Sequence, residues 1–122
     1  MRVQINTDRH TEGHERLAAW ASGVAEQALN HVSDRITRVE VHLSDESGDR
    51  SGQHDQRCLM EARLEGRRPI AVTHQATTMD QAVKGAAEKL TRAIESILAR
   101  QRDQRRRQAE PLPEKATPPD EQ

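Results

Sequence analysis

The chain has no phenylalanine, no tyrosine and a single tryptophan, Trp20. Its core must therefore be filled by aliphatic and small side chains, and Trp20 is the only large aromatic ring on which a nucleic-acid base could stack. Cys58 is the only cysteine, which excludes a disulfide framework and fits a reducing cytosol. No apolar run approaches the roughly 20 residues that cross a bilayer. The opening Met1–Asn6 alternates in strand fashion and contains no signal-peptide core. A cytoplasmic protein without a membrane partner is the expectation. Catalytic signatures are missing as well. There is no Gly-x-Ser-x-Gly elbow, and Gly48 and Gly52 precede a strand pattern rather than a phosphate-cradling helix. The serines lie mainly in the 45–56 loop or at helix ends, away from the pocket that nucleophilic catalysis needs. The sequence therefore predicts no enzyme, no cofactor and no small-molecule substrate.

Charge is abundant by contrast. Charged residues make up 32% of the 122, mean hydropathy is −0.98, and the size suits one modest core plus a tail. The net charge of −1 hides an uneven distribution. Residues 84–107 carry eight Lys/Arg against three Asp/Glu, whereas the segments before and after each sum to −3. A compact basic block on an acidic chain is a candidate footprint for a polyanion.

Hydrophobic periodicity gives the layout. Val3 and Ile5 mark a first strand, and Leu17, Trp20, Ala21, Val24, Ala25, Ala28 and Val32 form one helical stripe over about 12–32. Ile36–Ser44 alternates with Val39, Val41 and Leu43 on one face. After a Gly/Ser-rich loop over 45–56, Cys58, Met60, Ala62 and Leu64 form the inward face of a third strand. A tight turn at Gly66 leads to a fourth strand lined by Ile70, Val72 and His74. Thr77 or Thr78 caps a last helix with Met79, Ala82, Val83, Ala86, Leu90, Ala93, Ile94, Ile97 and Leu98 on its apolar side. Leu90, Ile94 and Val41 are expected to meet between helix and sheet. The order β-α-β-β-β-α predicts an α+β two-layer sandwich, a four-stranded antiparallel-type sheet with both helices on one face. Residues 1–107 form the domain, and Pro111, Pro113, Pro118 and Pro119 mark 108–122 as a disordered acidic tail.

Two possible metal pairs and the tryptophan have plainer readings. His10 and His14 have i,i+4 spacing but no third ligand nearby, so surface or capping roles fit better. His54 lies in the loop and Cys58 at an inward strand position, where a thiol behaves as a small hydrophobe. No metal site is expected. Trp20 lies on the helical stripe, which makes it a core anchor before a stacking platform.

The wording of two segments adds a resemblance. Asp34-Arg35-Ile36 leading into Val39-Glu40-Val41-His42-Leu43, and Thr78-Met79-Asp80-Gln81-Ala82 leading to Lys89-Leu90-Thr91-Arg92, resemble the ribosome hibernation-promoting factor and ribosome-associated inhibitor family. The resemblance implies the same element order, akin to a double-stranded-RNA-binding domain with an added first strand. It implies a small-ribosomal-subunit partner, bound in the channel used by messenger and transfer RNA, with idle ribosomes held inactive under stress or in stationary phase. The family's Lys-Leu-x-Arg matches Lys89–Arg92, and a later family lysine matches Arg100. The chain departs from the family where Thr78-Met79-Asp80 carries no aromatic and where Val24–His31 carries no lysine.

Lys84, Lys89, Arg92 and Arg100 are thus the candidate rRNA contacts, with Arg16 and Arg35 as lesser ones near the first helix. Glu88 and Arg92 form an i,i+4 pair of the kind that any solvated helix carries. The alternative function is a divergent protein-interaction module that kept the fold, binding a protein partner through the sheet or the 45–56 loop. The tail is expected to contribute little to the fold, since Leu112 is its only large aliphatic residue. Truncation after Gln108 should leave the melting temperature within about 2 °C in a thermal scan. A larger drop would show that the tail docks on the domain.

Overall fold

The computed structural model describes residues 1–7, 14–46 and 56–109. The possible metal residues His10 and His54 and the expected tail from residue 110 onward lie outside the described residues, as does most of the loop. The elements are β1 (Arg2–Thr7), α1 (His14–Leu29), a 3-10 segment (Asn30–Arg35), β2 (Ile36–Asp45), β3 (Gln56–Leu64), β4 (Ile70–Ala76) and α2 (Met79–Ala109). Their order is the β-α-β-β-β-α of the sequence pattern.

The four strands form one sheet in the order β1-β2-β3-β4. β2 pairs antiparallel with β3, and β3 with β4. β1, however, runs parallel to β2, Val3 opposite Val39 and Ile5 opposite Val41. The sheet is therefore mixed, which corrects the antiparallel-type expectation for this one strand. The reason is topological: a helix separates β1 from β2, and a helical crossover returns the chain in the same direction, whereas tight turns reverse it.

Two local details also depart from strict periodicity. The α-helix stops at Leu29, and the chain tightens into the 3-10 segment through Arg35 instead of continuing as α-helix to residue 32. This brings Val32 onto the core and leaves Leu29, outside the stripe read from the sequence, fully buried. In β2 a register irregularity lies between Ile36 and Arg38, where Thr37 Oγ1 donates to the Arg63 carbonyl at 3.0 Å. Simple alternation would put Ile36 on the face opposite Val39. The extra residue turns it inward, and both are buried.

The core is aliphatic, as the missing aromatics require. Leu29, Val39, Val41, Met60, Val83, Leu90 and Ile94 are its largest fully buried carbon side chains, and Leu90, Ile94 and Val41 belong to one cluster. Trp20 is half-buried and packs against that cluster with Leu17 and Val24. α2 lies over β3 and β4, and α1 over β1 and against α2. Thr78 is the α2 cap, its Oγ1 accepting from the Gln81 amide at 3.1 Å. Between β3 and β4, Gly66 takes a φ of 76°, a left-handed conformation that favours glycine, and the Arg67 amide donates to the Leu64 carbonyl at 3.1 Å.

The α2–β4 contact is close at Gly85, which Ala82 and Ala86 flank on the helix as further small residues. His74 lies directly against Gly85, and a β-carbon on Gly85 would overlap its imidazole ring. Gly85→Ala should therefore destabilise the fold by about 1–3 kcal/mol through overpacking, although alanine favours an exposed helix by roughly 1 kcal/mol over glycine. In a His74→Ala background the same change should be neutral or stabilising. A double-mutant cycle by chemical denaturation checks this, and a stabilised single variant would show that the ring swings aside.

Candidate nucleic-acid interface

Whether a cation can grip a phosphate depends on what already holds it. On the outer face of the sheet several cations are already paired. Glu40 pairs with Arg38 and lies 3.4 Å from His42 Nε2, and Glu46 pairs with Arg57 at 3.3 Å and accepts from Gln75 at 3.3 Å. The helical side is less evenly matched.

The six residues singled out in the sequence do not form a single patch. Lys84 and Arg92 come together on the rim of a groove between α1 and α2, whose floor includes Val24, Ala28 and Ala87. Lys84 is exposed, and its Nζ lies 3.4 Å from Asp80 Oδ1 one turn earlier. An exposed pair of this kind is weak and easily exchanged for a phosphate. Glu88 and Glu95 share the groove, so its charge is balanced. Thr91 fastens the two helices at its base: its hydroxyl donates to the Ala87 carbonyl at 2.8 Å and lies 3.4 Å from the Ala28 carbonyl. At the end of the groove His31 Nε2 meets Glu95 Oε2 at 2.6 Å.

Lys89 faces elsewhere. Its Nζ donates to the Thr73 carbonyl at 2.9 Å, so it reaches across to β4 instead of joining the groove. A lysine on an edge strand also discourages pairing with another chain. Arg16 stands exposed in the first turn of α1, and Arg100 stands exposed farther along α2. Arg35 ends the 3-10 segment and meets the distal part of α2, beside Arg102 and Arg105. These two arginines belong to the basic block, and their i,i+3 spacing was the signal that they share a face. Arg67 also reaches this corner, from the Gly66 turn, and nothing in the sequence pattern announced it.

Cys58 takes no part in surface chemistry. It is fully buried, and burial alone pushes its thiol from 9.0 up to about 12. Among the described residues no three His, Cys, Asp or Glu side chains gather into a metal-holding group, and no helix is long and apolar enough to cross a membrane. The thiol should resist alkylation at pH 8 in the folded protein and react only on unfolding, as measured by iodoacetamide labelling with and without denaturant. Because the folded pKa lies above the unfolded one, this group's contribution to stability is full below pH 9.0 and declines as pH rises toward 12. Rapid labelling of the native protein would contradict the packing.

Comparison with known proteins gives a consistent result. The family model for the sigma 54 modulation protein / S30EA ribosomal protein family matches residues 4–102. A ribosomal subunit interface protein from Coxiella burnetii superposes with a TM-score of 0.59 at 15% identity, covering 81% of this chain and 99% of that one. The N-terminal domain of Protein Y from Thermus thermophilus gives a TM-score of 0.56 at 15% identity, covering 80% and 99%. At that identity the two likenesses show a shared fold. No curated protein sequence matches.

Proposed function

The chain belongs to the sigma 54 modulation protein / S30EA ribosomal protein family, and from that membership we propose that it is a non-enzymatic ribosome-associated factor of the hibernation type. It binds small-subunit rRNA in the cytoplasm and restrains translation under stress or in stationary phase. The family match over residues 4–102 carries this reading, and the exposed cations of α2 supply its physical means. Lys84, Arg92 and Arg100 are the primary phosphate contacts, with Arg16 and Arg35 as lesser ones. Lys89 contributes after giving up its bond to Thr73, which lowers its share. Such contacts position the protein and carry no base sequence, so selectivity comes from the shape of the ribosomal channel.

A second reading has its own observation. The α1–α2 groove combines an apolar floor with balanced charge, which suits a protein segment better than RNA. Salt separates the two. Binding through phosphates weakens steeply with salt, and binding through an apolar groove does not.

Sucrose-gradient fractionation of starved cells should place the protein with ribosomal subunits. Replacing Lys89, Arg92 and Arg100 together with alanine should move it to the top of the gradient with the fold intact. The same replacement should reduce the salt slope of RNA binding by about two to three units. A triple variant that still sediments would mean that α2 is not the binding face. A wild-type protein that never sediments with ribosomes would sink the ribosomal reading and leave the protein-partner module in its place.

A further inference from the structure

Beyond the groove, four arginines from three separate parts of the chain converge on one corner. Arg35 comes from the end of the 3-10 segment, Arg67 from the turn after β3, and Arg102 and Arg105 from the distal part of α2. They border two adjoining depressions of about 220 and 130 Å³. Arg35 and Arg105 line both, Arg102 only the larger and Arg67 only the smaller. Asp34, Leu98 and Gln101 are also common to the lining of the two.

Convergence from three parts of the chain is what distinguishes the corner. Some cations elsewhere are held: Arg38 by Glu40, Arg57 by Glu46, Lys84 by Asp80 and Lys89 by the Thr73 carbonyl. None of the four corner arginines has an ion-pair partner among the described residues, although Asp34 and Glu65 stand in the lining. Four guanidinium groups against two carboxylates leave the corner positive. Crowding like charges without partners costs free energy that a bound anion would offset. Guanidinium groups match phosphate bidentately, and four of them supply more donors than one phosphoryl group can accept. Each depression is smaller than the roughly 300 Å³ at which small-molecule clefts begin. A phosphoryl group fits either depression.

We propose that this corner is a two-part phosphate seat, each depression able to take a phosphoryl group, with Arg35 and Arg105 shared between them. Two sources have that chemistry: successive phosphates of an RNA backbone, and a free anion of the pyrophosphate type. The RNA form rests on the ribosomal reading above, and the free-anion form does not.

Pyrophosphate is the probe, titrated into the full chain at fixed ionic strength while the arginine Nε–H signals are followed by NMR. Saturable shifts at Arg35, Arg67 and Arg105 are expected. Arg67→Gln combined with Arg105→Gln should weaken binding by about tenfold or more. Arg102→Gln, which alters only the larger depression, should weaken it less. Arg2→Gln with Arg63→Gln removes the same charge from exposed positions elsewhere and should leave binding unchanged, and melting temperatures confirm that each variant folds. Shifts that never saturate, or equal losses in the corner and control variants, would overturn the seat in favour of a diffuse positive field. A short RNA duplex then identifies the source. If pyrophosphate displaces it from the corner, the seat takes backbone phosphates; if the duplex leaves the corner signals unmoved, it takes the free anion. Both results support the seat. Failure of the wild type to sediment with ribosomes would remove the ribosomal reading and leave this result standing. Failure of pyrophosphate to bind would remove the seat and leave that reading untouched.

Discussion

The close approach of α2 to the sheet at Gly85 and His74 is the constraint on which the rest of this structure depends. A chain without phenylalanine or tyrosine cannot fill a wide helix–sheet gap with rings. It fills a narrow one with alanine, valine and leucine, and α2 is small-residue over Ala82, Gly85 and Ala86 where it comes close to β4. Interior packing leaves little room for voids, so the small-residue surface and the missing aromatics are two sides of one solution. Trp20, the single large ring, sits half-buried against the rim of that core.

Anchoring the first half of α2 determines what its second half can do. α2 has 31 residues, which at about 1.5 Å per residue gives a rod of roughly 46 Å. A strand of nine or ten residues spans about 30 Å at 3.3 Å per residue. The helix therefore outruns the sheet, and from Arg102 to Gln108 its side chains are exposed. Because the rod is continuous with the packed half, these cations are carried on a rigid support and not on a loose tail. The distal arginines meet Arg35 and Arg67 for that reason.

Charge follows the same division of labour. The outer sheet face is laced by pairs around Glu40 and Glu46, and the groove between the helices is balanced by Glu88 and Glu95. Toward the distal end of α2, guanidinium groups from three parts of the chain gather around two adjoining depressions. Counting lysines and arginines along the chain locates the surplus, but it does not show which cations are already engaged. Lys89 illustrates the difference: the family-like Lys89-Leu90-Thr91-Arg92 run marks it as a site residue, while its ammonium is bonded to β4.

What the sequence determined by itself was everything that repeats with a local period. The element order, the inward faces of β2 and β3, the apolar side of α2 and the basic character of its far end all follow from spacings of two or of three to four residues. The family wording at 34–44 and 78–92 added the family and, with it, the fold. Three things were decided only by tertiary structure. β1 lies parallel to β2 because a helix, and not a turn, carries the chain between them. Ile36 turns inward because β2 gains one residue against β3, which no pattern within β2 reveals. Arg67 joins Arg35, Arg102 and Arg105 because the Gly66 turn and the distal part of α2 come to the same corner of the fold. Period reports which way a side chain faces on its own element. Which elements then meet depends on how the whole core packs, and that is a property of the folded chain.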